Sequence, residues 1–259
     1  MQEKKIITHI VTWLNKYIYS SKAKGFVVGI SGGIDSAVSS TIGAKTGLPT
    51  LCIEMPIHQS IKQVERANNH VNWLKKNYNN VRSVETNLTP LFDSFIKQMP
   101  QTEKKENTEK ALINTRARFR MTTLFYFAQL KNYLVLGTGN KVEDFGIGFF
   151  TKYGDGGVDL SPIADLNKSE VFTLGKFLNI IDSIITAPPT DGLWNDDRSD
   201  EEQIGATYPE LEWAMDFNGD DHNISNREKE VLTIYNNLRK INLHKMMSIP
   251  ICKIPGNLK

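Results

Sequence analysis

The sequence predicts an α/β protein, a doubly wound and mostly parallel sheet flanked by helices. Three observations carry that prediction. Short apolar β-type runs at 26–30, 50–55, 81–86 and 133–136 alternate with segments whose apolar residues recur at helical spacing, the pattern of parallel strands joined by crossover helices. Two of the runs end in glycine-bearing turns, Ser31-Gly32-Gly33 and Gly137-Thr138-Gly139-Asn140, and in such sheets ligands collect at the carboxyl ends of strands. The composition is ordinary for a globular protein, with 40% apolar and 23% charged residues among 259. One domain spanning residues 1–259 is expected. The net charge of +2 gives no global drive toward nucleic acid or a membrane surface, and no apolar run reaches membrane-spanning length.

In chain order, Ile6, Ile7, Ile10, Val11, Leu14 and Ile18 predict an amphipathic helix over 6–19. A polar loop at 20–25 leads into the strand Phe26-Val27-Val28-Gly29-Ile30. That strand stops at Ser31-Gly32-Gly33, and Asp35-Ser36 opens a helical pattern lasting to Gly47. Glycines let a backbone approach a ligand closely, and a helix N-terminus favours an anion. Ser31 and Ser36 can add hydroxyl donors, and Asp35 can hold Mg²⁺ beside a phosphate. The common P-loop string G-x-x-x-x-G-K-[ST] is absent. A bare Gly-Gly turn would be equally at home as a structural βα turn; the full string SGGIDS is more specific.

Thr50 to Met55 predicts a second buried strand, stopped by Pro56. A helix is expected over 60–76, a short strand over 81–86 and a short helix over 89–99. The charge-rich stretch 100–108 predicts a solvated loop. A long helix is expected over 108–131, a strand over 133–136, and irregular chain over 144–162, which is rich in Gly and aromatics. Asn167-Lys168-Ser169-Glu170 and Ser225-Asn226-Arg227-Glu228 have capping-box spacing and predict helices to about 178 and 242. Residues 186–200 predict a long polar loop, and the tail beyond 242 has no clear period. Cys52 and Cys252 are expected as free thiols in a reducing cytoplasm. The N-terminus carries Glu3, Lys4 and Lys5 and no apolar signal core, so a cytoplasmic protein is expected.

SGGIDS at 31–36 resembles the pyrophosphate loop of ATP pyrophosphatases, which cleave ATP to AMP and pyrophosphate while adenylating a substrate. The stretch 137–159, GTGNKVEDFGIGFFTKYGDGGVD, is similar to the second signature of the NAD synthetase family within that group. The resemblance spans roughly 25–215. It implies a Rossmann-like, adenine nucleotide alpha-hydrolase-like fold and an ATP- and Mg²⁺-dependent ligase that turns deamido-NAD into NAD through an adenylate attacked by ammonia. It implies a homodimer, with the dinucleotide near the subunit interface. The apolar Leu124, Phe125, Tyr126, Phe127 and Leu130 lie on more than one face of their helix, which accords with that expectation.

Carried onto matching positions, the resemblance places Gly29, Ser31, Gly32, Gly33, Ile34, Asp35, Ser36, Thr138, Lys168 and Thr190 at ATP. Asp35 and Glu143 would be the Mg²⁺ ligands, and Asp35, Glu143 and Lys168 would carry the catalysis. Arg118, Lys152, Asp159, His244 and Lys245 would bind deamido-NAD, with Arg120 as a second choice to Arg118. The bland alternatives are a solvated helix face for the arginines, a helix-start acid for Glu143 and a surface residue for His244. Two departures from the family pattern stand out. Lys152 lies nine positions after Glu143, one more than is usual, so Asp144 is an alternative metal ligand. Glu54 stands where many relatives have a basic residue near adenine. With 259 residues and no Cys-based amidase constellation, free ammonia is the expected nitrogen source, in place of glutamine. The alternatives are another ATP pyrophosphatase, such as a GMP synthetase, or a nucleotide-binding module without catalysis; both acids, Asp35 and Glu143, speak against the latter.

Overall fold

The computed structural model describes residues 1–100, 105–190, 199–219 and 224–259. Strand β1 (Phe26–Gly29) lies inside a four-stranded sheet with β2 (Thr50–Glu54), β3 (Val81–Glu85) and β4 (Leu134–Val135), in the order β3-β2-β1-β4. Every pairing is parallel, with Phe26 opposite both Thr50 and Leu134. β1 and β2 are apolar on both faces because both faces are covered. Val28 and Cys52 pack toward α1 (Glu3–Ser21), α2 (Ile34–Lys45), α3 (Ile61–Asn77) and α6 (Lys168–Phe177). Val27, Leu51 and Ile53 face the opposite layer, with α4 (Thr89–Gln98) and α5 (Lys105–Lys131). The chain runs one way from β1 through β2 to β3 and the other way to β4. The loops after β1 and β4 therefore flank the point where strand order reverses, the usual ligand crevice of such sheets.

A third apolar cluster lies beside the sheet. It joins Val142 and Ile147 of a π-helix (Val142–Ile147) to Leu211 of α9 (Tyr208–Asp216) and Val231 of α10 (Asn226–Met246). The sequence predicts irregular chain here, and the π-helix is the correction; residues 148–162 are turns and irregular chain, with a bridge between Leu136 and Leu160. Residues 105–108 are also helical where a loop is expected, because α5 starts at Lys105, and Glu106 and Lys110 form an i,i+4 pair on its first turns. The rest of that expected loop falls on 101–104, outside the described residues.

The capping boxes at Asn167/Glu170 and Ser225/Glu228 form as the sequence predicts. Two more, Ser199/Glu202 and Thr207/Glu210, start α8 (Asp200–Ile204) and α9, helices the sequence reading does not anticipate. α8 and the short α7 (Asp182–Ile185) flank the expected polar loop, whose residues 191–198 lie outside the description. Among the described residues no helix is long and apolar enough to cross a membrane.

Candidate active site

The turns after β1 and β4, the π-helix, the start of α6 and residues 187–190 enclose a cavity of about 240 Å³. The first turn is shaped by Gly32, at φ +82°, where an added Cβ would lie 2.8 Å from the carbonyl oxygen of Gln63. Gly33 is the N-cap of α2, so the first N–H groups of that helix have no intrahelical partner. Ser36 Oγ donates to the Gly33 carbonyl at 3.0 Å and lies 3.1 Å from Ser31 Oγ, so the two hydroxyls brace the turn.

One cation is set between two carboxylates at this turn. Lys168 Nζ lies 2.6 Å from Asp35 Oδ2 and 3.0 Å from Glu143 Oε1, with its side chain only 4% exposed. Three elements converge here: the first turn of α2, the π-helix and the capped start of α6. Burial alone would push the Lys168 pKa down, but the two carboxylates outweigh it and raise the value, so the ammonium stays charged. Burial raises Asp35 above the ordinary carboxylate value, with Lys168 pulling the other way. Asn140, fully buried, donates to Asp35 Oδ1 at 3.2 Å and accepts from the Glu143 N–H at 3.1 Å. The Tyr208 hydroxyl donates to Glu143 Oε1 at 2.5 Å and lies 3.3 Å from Asp200 Oδ2, and its ring centroid lies 4.6 Å from Lys168 Nζ. Burial and the neighbouring carboxylates raise the Tyr208 pKa, so the phenol remains a donor.

Asp144 also lines the cavity, packed on the second turn: a Cβ at Gly139 would lie 2.1 Å from its Oδ2. Burial, with Glu143, Asp155 and Asp35 nearby, pushes its pKa up to about 8. Arg120, from α5, donates to the Met55 carbonyl at 3.2 Å and to Gln59 Oε1 at 3.1 Å. Glu54 does not line the cavity: strand alternation puts it on the Cys52 face, buried under the α3 layer. Met55 and Gln59 line the cavity at that end of β2, and the guanidinium facing them comes from α5.

A second group lies outside the cavity lining. Arg118 reaches the Lys152 carbonyl at 3.4 Å, Lys152 Nζ donates to the His244 carbonyl at 2.8 Å, and Lys245 Nζ donates to the carbonyls of Gly148 and Phe150. These contacts join α5, the chain after the π-helix and the end of α10. Asp159 stands apart, accepting the Val135 N–H at 2.8 Å.

The sequence model of the NAD synthase family matches residues 6–248. The NH₃-dependent NAD⁺ synthetase of Carboxydothermus hydrogenoformans is 39% identical over 205 residues, 78% of this chain and 81% of that protein. The chain belongs to the NAD synthase family. Two solved structures share the fold over nearly their whole length. NMN synthetase from Francisella tularensis superposes with a TM-score of 0.84 at 31% identity, covering 99% of both chains. The NH₃-dependent NAD synthetase of Campylobacter jejuni superposes at 0.78 with 26% identity, covering 98% of this chain and all of that one.

For a member of this family, the two expected groups of residues fall in two places. All ten positions expected at ATP line the one cavity, as do Glu143 and Asp144. Arg118, Lys152, His244 and Lys245 gather in the second group, and Asp159 shares no hydrogen bond or ion pair with them. Sequence reasoning missed Tyr208, Asn140, Asp200 and Arg66, all of which border the Lys168 site or the first turn. Asn140 stands in the conspicuous GTGN turn, a signal present in the sequence; the Thr207 capping box marks a helix start and says nothing of the role of Tyr208. Nothing local marks Asp200 or Arg66.

Proposed function

We propose that this member of the NAD synthase family amidates deamido-NAD to NAD, with ATP as the adenylating co-substrate and ammonia as nitrogen donor, releasing AMP and pyrophosphate. The carrying observation is the Asp35–Lys168–Glu143 cluster at a glycine turn and helix N-terminus, on the crevice where strand order reverses. The substrate carboxylate oxygen bonds to the α-phosphorus of ATP, and the bond from that phosphorus to the bridging oxygen breaks with its electron pair leaving on pyrophosphate. Ammonia then bonds to the activated carbonyl carbon, AMP departs, and the nitrogen sheds a proton to solvent. Lys168, kept charged by its two neighbours, offsets negative charge gathering at phosphorus, and the first turn of α2 lines the same cavity.

Asp35 and Glu143 fit Mg²⁺: they are hard oxygen donors from two separate elements, and Glu143 Oε2 accepts no hydrogen bond from a described residue. When bound, the ion supplies positive charge beside the phosphate oxygens. Glu143 is the better placed of the adjacent pair, because it shares Lys168 with Asp35, whereas Asp144 packs on the Gly139 turn. Arg118, Lys152, His244, Lys245 and Asp159 are proposed to bind deamido-NAD. A cytoplasmic location is part of the same proposal.

A homodimer is proposed on the surface of α5. Leu124, Phe125 and Phe127 pack inward on the sheet, while Tyr126 and Leu130 are 62% and 60% exposed, more apolar surface than one core-facing stripe needs.

A second reading changes the substrate alone. The likeness to an NMN synthetase at a TM-score of 0.84 favours nicotinic acid mononucleotide as the acid amidated. Supplying each acid with ATP and ammonium, and quantifying NAD or NMN by chromatography, tests both. Amide from deamido-NAD at the higher kcat/KM supports the first reading, and the reverse order supports the second.

A further inference from the structure

We infer that Arg66 is a binding residue for the phosphate tail of ATP, holding the β- and γ-phosphates from the α3 side of the glycine turn and stabilising pyrophosphate as it leaves. The inference rests on the ATP-dependent reading of the cavity.

Among the described residues, three cations line the cavity: Lys168, Arg120 and Arg66. Lys168 is committed to Asp35 and Glu143, and Arg120 to Met55 and Gln59. Arg66 donates only its Nε, to the Gly32 carbonyl at 3.3 Å, and its two terminal nitrogens have no hydrogen-bond or ion-pair partner among the described residues. The guanidinium thus stands at the turn with its forked end unused.

Its place follows from how α3 packs. Gln63, Ala67 and His70 form the buried face of that helix, and Arg66 lies at the rim of the same face. An added Cβ at Gly32 would meet the Gln63 carbonyl at 2.8 Å, the Ala67 nitrogen at 3.1 Å and the Arg66 Cβ at 3.2 Å, so α3 rests directly on the turn. The stem of Arg66 therefore starts beside the residue whose neighbours open α2 toward the cavity.

Charge points the same way. Asp35, Glu143, Asp144, Asp155 and Asp200 also line the cavity, an acidic surround for a polyphosphate. An unpaired, permanently charged fork with planar donors matches phosphate oxygens bidentately. As the α-phosphorus bonds to the substrate carboxylate and its bond to the bridging oxygen breaks, the electron pair moves onto pyrophosphate, and the arginine faces that growing charge.

The test is calorimetric titration of wild type, Arg66→Ala and Arg66→Lys with ATP, inorganic pyrophosphate and AMP, beside thermal melts of each protein. Arg66→Ala should weaken ATP and pyrophosphate by a similar factor, about tenfold to a hundredfold, and leave AMP and the melting midpoint unchanged, with Arg66→Lys in between. Unchanged pyrophosphate affinity in Arg66→Ala overturns the inference. So does equal weakening of all three ligands together with a lowered midpoint, which would make Arg66 a structural support of the turn. A wild-type enzyme that binds pyrophosphate through Arg66 yet makes no NAD would refute the functional reading and leave this inference standing; NAD synthesis with full pyrophosphate affinity in Arg66→Ala would do the reverse.

Discussion

Lys168 works as a pivot because its two carboxylates come from elements that share no local sequence. Asp35 sits on the first turn of α2 and Glu143 on the π-helix, so losing either changes the charge of the site while the other still holds the lysine. Asp35→Asn should keep the fold and cut adenylation by about 3 kcal/mol or more of transition-state stabilisation, read as AMP formation with circular dichroism as the folding control. Near-normal turnover in saturating Mg²⁺ would remove Asp35 from the mechanism. Glu143→Gln should be more damaging than Asp144→Asn, measured in the same assay; the opposite order would shift the metal-binding role by one residue. His70 gives a prediction about stability. Buried against Ser40 and stacked on Trp73, it is lowered from 6.5 to about 4 by burial. Between those values the unfolded chain takes a proton that the folded chain refuses, so stability is full above about 6.5 and falls as pH drops toward 4. The contribution is on the order of 3 kcal/mol, and His70→Gln should flatten that slope in urea melts taken from pH 7 to 4. At this scale the SGGIDS turn and the capping box that opens α6 were legible in the sequence, because turn chemistry and capping are local, whereas the role of Lys168 came only from the family resemblance. Tyr208 was not legible, because its partner Glu143 is 65 positions away, and only the fold brings them together.

The π-helix is the element that positions Glu143, and it is held from outside. Arg239 donates to the carbonyls of Phe145 and Gly146, Asn242 to that of Ile147, and Lys245 to those of Gly148 and Phe150. One face of α10 thus satisfies the carbonyls that a short wide helix leaves over. The fit is close, since a Cβ at Gly148, at φ +66°, would lie 2.5 Å from the Cβ of Asn242. Arg239→Met keeps the stem and removes the donors; it should cost about 1–2 kcal/mol in stability and lower kcat through a less ordered Glu143. Unchanged kcat in a destabilised Arg239→Met would show that α10 supports the fold without supporting the site. The sequence did not reveal the π-helix at 142–147, because the form is rare and neither periodicity nor propensity distinguishes it from irregular chain.

At the scale of the molecule, the strand order β3-β2-β1-β4 brings the two glycine turns to one crevice, as the alternation of strands and helices predicts. The assembly was less legible. Apolar residues on several faces of α5 fit both a doubly buried helix and an interface, and the structure buries Leu124, Phe125 and Phe127 in part while leaving Tyr126 and Leu130 exposed. Light scattering should give twice the chain mass of 29.3 kDa, with activity falling on dilution as the dimer dissociates; a fully active monomer at micromolar concentration would rule out a shared site.

The most direct test of the central claim is a product balance on the purified protein given deamido-NAD, ATP, Mg²⁺ and ammonium, with ammonia-free glutamine as the parallel arm. NAD, AMP and pyrophosphate should form in equal amounts with ammonium, and no NAD with glutamine. ATP cleaved to ADP and phosphate, or no amide from deamido-NAD while AMP and pyrophosphate are released to another acceptor, would contradict that claim.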